Sequence, residues 1–113
     1  MSLKESKCEA CTIDAPLVTE KEKVDFLFEL SGWEINNIDG IDQLNKAFKF
    51  NSYVQALDFA KGVALLAEKE DHHPKIVLEW GRVEVYWWSH KIKGLHKNDF
   101  ICAAKTEDLL AVS

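Results

Sequence analysis

The feature that most constrains this chain is the end of its longest helical pattern. There Glu68-Lys69-Glu70-Asp71-His72-His73-Pro74 interrupts an apolar period that begins near Tyr53. Pro74 has no amide N–H, and it pushes His73 toward extended backbone, so the helix cannot run through this point. The chain must leave the helix here and enter an extended segment, with two imidazoles and several carboxylates at the junction. Helix ends and loops on a rigid scaffold are where reactive groups are displayed. Imidazole, with an ordinary pKa of about 6.5, suits proton transfer near neutral pH.

The patterning on either side supplies the remaining elements. Thr19 and Glu22 form a capping box, and Val24, Leu27 and Phe28 follow as an apolar stripe at helical spacing. Gly32 ends that helix. Residues 33–38 read as a strand, Asp39-Gly40 as a tight turn, and residues 44–50 as a second strand with Leu44, Phe48 and Phe50 on its buried face. Lys46 falls on that same apolar face. Ser52 with Gln55 makes a second capping box, which opens the helix over residues 53–70. Its apolar positions include Val54, Leu57, Ala60, Ala64 and Ala67, but also Ala56, Phe59 and Val63. This stripe is wider than one sheet face needs, so contact with a further surface, such as another subunit, is expected.

Beyond Pro74, residues 76–80 and 83–89 form a hairpin about Gly81-Arg82. Val83, Val85 and Trp87 share one face of the second strand, while Glu84, Tyr86 and Trp88 share the other. The second face is therefore expected to be partly covered or to bind something flat. Gly94 closes the next loop, and a final helix starts near Asn98 or Asp99. The order α-β-β-α-β-β-α predicts an α+β fold: a four-stranded antiparallel sheet with the helices packed on one face.

Composition narrows the classes. The 113 residues suffice for one domain, expected over residues 19–113 behind a tail of residues 1–18 without helical or strand period. A net charge of −5 argues against binding nucleic acid by electrostatics alone. No apolar run has the length of a membrane span, and residues 1–16 lack the apolar core of a signal peptide. Three cysteines, an odd number, fit a reducing compartment, so a cytoplasmic location is expected. Cys8 and Cys11 have half the spacing pattern of a zinc or redox site, but with no second pair they read as a tail feature. Cys102, between Ile101 and Ala103, reads as a core thiol, His96 as a solvent-facing loop residue, and Glu107-Asp108 as a solvated helix face.

The spacing Glu68, His72-His73-Pro74, Trp80, His90, Asp99 resembles the pterin-4a-carbinolamine dehydratase family. The segment from Ala67 to Pro74 is similar to the family's central motif. Gly32-Trp33, Phe48-Lys49-Phe50 and Gly94-Leu95 sit where the family has similar residues. Cys8-Glu9-Ala10-Cys11 with Ala15-Pro16 resembles the N-terminus of bacterial members. Two positions depart: Trp87-Trp88 is bulkier than the family pattern, and His96 stands where a small capping residue is common.

The resemblance implies dehydration of a 4a-hydroxytetrahydropterin to quinonoid dihydropterin, the recycling step for aromatic amino-acid hydroxylases, with no metal or redox cofactor. It implies His72 and His90 as acid/base groups, with His73 chiefly binding and orienting the pterin. Glu68, Asp71 and Asp99 would hold tautomers or meet polar ring atoms; Pro74, Ser89 and Lys91 would flank the pterin, and Trp80 would be a site wall or core. It also implies a homodimer or homotetramer. A zinc site is the rival reading of three histidines, but adjacent His72 and His73 lack the same-face spacing of helical zinc motifs. From a different class come a non-catalytic, coactivator-type binding role and a relative serving molybdopterin metabolism.

Overall fold

The computed structural model describes residues 17–111. Helix α1 (Glu20–Phe28) precedes strands β1 (Glu34–Ile38) and β2 (Ile41–Lys49). The long helix α2 (Tyr53–Glu70) leads to β3 (Lys75–Glu79) and β4 (Arg82–Trp87), and α3 (Lys97–Ala111) closes the fold. The four strands form one antiparallel sheet in the order β1-β2-β4-β3, and α2 and α3 pack against it. The fold is α+β, with the element order expected from the patterning. The Cys8–Cys11 pair lies outside the described residues. Of the expected tail, Leu17 and Val18 are described, and the Val18 N–H donates to Leu95 O at 2.9 Å.

Strand alternation places the core. Val83, Val85 and Trp87 on β4 and Leu44 and Phe48 on β2 are buried. The registers Leu44↔Trp87 and Phe48↔Val83 put them on one face. Helix α2 lays Ala56, Phe59, Ala60, Val63 and Ala67 onto that face; its alanines let the backbone come close while Phe59 reaches Phe48, with centroids 4.7 Å apart. At the hairpin between β3 and β4, Gly81 has φ +67°, and a Cβ there would meet Phe50 O at 2.9 Å. That close approach admits only glycine.

Several expectations change. The capping box of α1 is complete, but only part of its stripe packs inward: Leu27 lies against the core, whereas Phe28 is 92 % exposed and Val24 also faces outward. Phe26 packs inward as well, its ring 5.1 Å from that of Phe100. The box of α2 is half formed: Ser52 Oγ accepts from Gln55 N, while Gln55 Oε1 accepts from Asn51 N rather than from Ser52. Strand β2 begins earlier than expected, and β4 ends at Trp87, leaving Ser89 in an isolated bridge to Gly94.

Lys46 does lie on the apolar face, and its ammonium reaches the Glu107 carboxylate and Ser31 O. Trp33 Nε1 donates to the same Glu107 oxygen at 2.8 Å. Glu107 is therefore not part of a solvated face; it joins α3 to β2 and to the loop before β1. Removing it leaves a half-buried ammonium and a buried indole N–H without their shared acceptor. Glu107→Ala is expected to cost about 2 kcal/mol in urea unfolding. Glu107→Gln, which keeps an oxygen, should cost distinctly less.

Candidate functional site

The site is built where α2 stops. Asp71 takes a left-handed conformation, φ 50° and ψ 43°. Its N–H reaches Glu68 O at 3.4 Å, and the N–H of His72 reaches back to Ala67 O at 3.1 Å. This is the Schellman arrangement, which satisfies the last carbonyls of a helix while reversing the chain; glycine usually supplies the left-handed residue, and aspartate tolerates it. The reversal turns His72 inward and leaves His73 outside.

His72 is 5 % exposed. Its ring stacks on Trp87, with centroids 5.6 Å apart and planes 7° apart. Its Nε2 lies 2.6 Å from Asp99 Oδ1. Asp99 is fully buried, and its other oxygen accepts from Ser89 Oγ and from the backbone N–H of His96, each at 2.9 Å. Trp87 is itself held, its Nε1 donating to Thr106 Oγ1 at 3.1 Å. The imidazole of His72 is thus fixed edge and face.

The other two histidines are exposed. His73 Nε2 lies 2.5 Å from Glu68 Oε2 on the last turn of α2. His90 Nε2 lies 3.1 Å from His73 O, and since a carbonyl can only accept, that nitrogen donates. The His90 ring stacks on Trp88 at 4.5 Å. Among the described residues, Nδ1 of His72, His73 and His90 has no protein partner. A carboxylate or carbonyl thus engages Nε2 of each ring, leaving Nδ1 for another molecule. No three of the described His, Cys, Asp and Glu side chains are grouped so as to hold a metal ion.

A family model described as pterin 4 alpha carbinolamine dehydratase matches residues 16–109. A protein of Vibrio vulnificus strain YJ016, whose name places it among the pterin-4-alpha-carbinolamine dehydratases, is 56 % identical over 96 % of this chain and 98 % of its own. The chain belongs to the pterin-4a-carbinolamine dehydratase family. A similarly named protein of Saccharophagus degradans is 54 % identical over 95 % of both chains. Among solved structures, a Brucella melitensis protein titled transcriptional coactivator/pterin dehydratase aligns with TM-score 0.75 and 33 % identity, over 83 % of this chain and 98 % of that one. A pterin dehydratase-like protein, titled a RuBisCO assembly factor of the alpha-carboxysome, shares the fold, with TM-score 0.58 and 24 % identity over 69 % of this chain and 88 % of its own.

Within this member of the family, the residues singled out from sequence divide by depth. His72, Ser89 and Asp99 are buried and bonded together; His73, His90, Glu68, Asp71 and Lys91 are exposed around them, with Pro74 half-buried. Trp80 is neither core nor beside the histidines: it is 72 % exposed at the hairpin, the opposite end of β3 from His73. The register of β4 against β2 and β3, carried past Trp87, sets Trp88 between Gln43 and His73. Gln43 is buried with its Oε1 unpaired, and nothing in its sequence context marked it. His96, expected in solvent, is 4 % exposed, because its side chain folds over the start of α3. A cavity of about 270 Å³ lies elsewhere, lined by Lys23, Asp42, Lys93 and Leu95 among others, and none of the three histidines borders it.

The open face of the sheet beside the site is polar. Tyr86 Oη donates to Glu84 Oε1 at 2.5 Å, and the Lys75 ammonium lies over the Tyr86 ring. Donation to Glu84, reinforced by burial, holds the Tyr86 phenol above the ordinary 10.0. A raised phenol pKa favours the neutral, folded-state donor. Its contribution to stability is therefore fully present below pH 10.0 and is lost as pH rises through the folded value. In an ultraviolet titration of phenolate, the Tyr86 signal, identified by its loss in Tyr86→Phe, should move down toward 10.0 in Glu84→Ala. A midpoint unmoved by that substitution would show that Glu84 is not the cause.

Proposed function

We propose that this chain catalyses dehydration of a 4a-hydroxytetrahydropterin to the quinonoid dihydropterin, by acid/base catalysis from its histidines. In this reaction the C4a–O bond breaks and the hydroxyl leaves as water after gaining a proton. The N5–H bond gives up its proton, and its electron pair forms the C4a=N5 double bond. No oxidation occurs, so the protein has to supply one proton donor, one acceptor and a surface that orients the ring.

The observation that carries this reading is the shared arrangement of the three imidazoles, each held at Nε2 with Nδ1 left over. With Asp99 ionised, His72 Nε2 donates to it, and the neutral ring presents its lone pair at Nδ1. That is a positioned base, or an acid once it is protonated. His90 offers the second such group from the loop after β4. His73, tied to Glu68 at the surface, would bind and orient the pterin, with Asp71, Pro74 and Lys91 at the rim. Ser89 and Asp99, being buried, would act through His72 rather than by touching the ring. The carbinolamine released by aromatic amino-acid hydroxylases is the substrate that fits this chemistry.

The relatives' names support the same reaction class. The test is disappearance of synthetic 4a-hydroxytetrahydropterin with purified protein treated with a chelator. Acceleration should survive the chelator. His72→Ala and His90→Ala should each lower turnover by about 10²-fold or more in a folded protein. His73→Ala should mainly raise KM. Turnover unchanged in both of the first two variants would remove the acid/base assignment. No acceleration by folded wild-type protein would favour a binding role of the kind described for the Brucella protein.

We further propose that the active form is a homo-oligomer joined through α2. Val54, Leu57 and Leu65 lie on one exposed stripe of that helix, away from the sheet. Equilibrium sedimentation should give a dimer or tetramer for the wild type and a smaller species for Leu57→Glu/Leu65→Glu. A wild-type monomer would refute this assembly.

A further inference from the structure

Helix α3 starts in an unusual way. The first N–H groups of a helix have no partners within it, and a Ser, Thr, Asp or Asn before the first turn normally accepts from one of them. In this chain the position is held by His96, whose Nδ1 accepts from Asn98 N at 3.0 Å. The backbone N–H of His96 donates in turn to Asp99 Oδ2 at 2.9 Å. The pair resembles a capping box, with aspartate at the third position returning the bond to the cap N–H and imidazole in place of hydroxyl, accepting here from the second residue of the helix.

The same carboxylate holds His72. Asp99 Oδ2 is pinned by His96 N and Ser89 Oγ, and this fixes the rotation that aims Oδ1 at His72 Nε2. Neither Asp99 nor His96 reaches solvent, so water cannot take over a lost bond without a local opening. We propose that His96 is a positioning residue of the His72 site: its imidazole cap sets the first turn of α3 and thereby the Asp99 carboxylate that orients His72. The effect on catalysis rests on the acid/base role proposed for His72.

Four substitutions separate capping from mere filling of space. His96→Asn and His96→Ser restore an oxygen acceptor suited to the cap, whereas His96→Ala and His96→Leu do not, although Leu fills the volume. Turnover should fall about tenfold in Ala and Leu, with KM near the wild-type value, and return in Asn or Ser. The His72 Nε2 proton, bonded to a buried carboxylate, should give a slowly exchanging downfield proton resonance, assigned by its loss in His72→Ala. That resonance should persist in wild type, Asn and Ser and broaden in Ala and Leu, with no substrate present.

Recovery by Leu but not by Asn or Ser would assign His96 to packing and overturn the proposal. A resonance and turnover unchanged in Ala would do the same. If the wild type turns nothing over while the resonance follows the cap, the positioning role stands and the dehydratase reading fails. If turnover is normal while the resonance ignores the cap, the reverse holds.

Discussion

The structure around the histidines depends on one buried carboxylate. Asp99 gathers donors from the junction after α2, from the bridge after β4 and from its own helix start. Burying an ionised carboxylate is expensive unless several donors replace its water, and three do so here. His96 N belongs to the same helix start as Asp99, but Ser89 comes from the loop after β4 and His72 from the junction after α2, so the cost is met in full only when all of them have assembled. The geometry that would orient His72 is thus a product of the completed fold and not of any local segment. Removing the carboxylate would leave three donors without their acceptor in a buried region where Trp87 stacks on His72.

The aromatic residues divide the labour between the two faces of the sheet. Trp87 points inward, stacks beneath His72 and is anchored to α3 through Thr106, whose hydroxyl donates to Cys102 O at 2.7 Å. Trp88, next in sequence, points to the open face and carries His90. Adjacent residues of an extended chain face opposite ways, so one Trp-Trp pair supports two imidazoles from different sides. The bulk of this pair, a departure from the family pattern as read in sequence, therefore has a use: each ring has a histidine against it.

What could be read from the sequence was what depends on neighbours in the chain. Alternation along β4 put Val83, Val85 and Trp87 on the buried face, the period of α2 marked its wide stripe, and the Thr19–Glu22 spacing announced its box. Readings failed where a distant residue decides. Lys46 looked misplaced because its partner, Glu107, lies on a helix at the other end of the chain, and for the same reason Glu107 looked solvated. Phe28 has helical spacing from Val24, yet both face outward, and Phe26 joins Leu27 against the core. His96 was missed for a different reason. It stands where the family has a small capping residue, but histidine is not a usual cap, and its residue type does not reveal that Nδ1 serves as the acceptor. The chemistry of the bond, a lone pair facing an N–H, was the signal.

The histidines also differ in how much the fold has settled before a ligand arrives. His72 is locked by a buried bond and a stacked ring, so its orientation is set at folding and costs nothing when a substrate binds. The His73–Glu68 pair sits in solvent, with both side chains more than half exposed. Exposed pairs of this kind contribute about 0–1 kcal/mol and break easily. His90 is held by a single bond to a backbone carbonyl and by stacking on a half-buried ring. A ligand can therefore take over the bonds of the two outer imidazoles at little cost, while the inner one stays as the fold left it. In the proposed dehydration, where protons move at the C4a hydroxyl oxygen and at N5, a fixed inner group with adaptable outer ones would let the ring settle without disturbing the group that is already aimed.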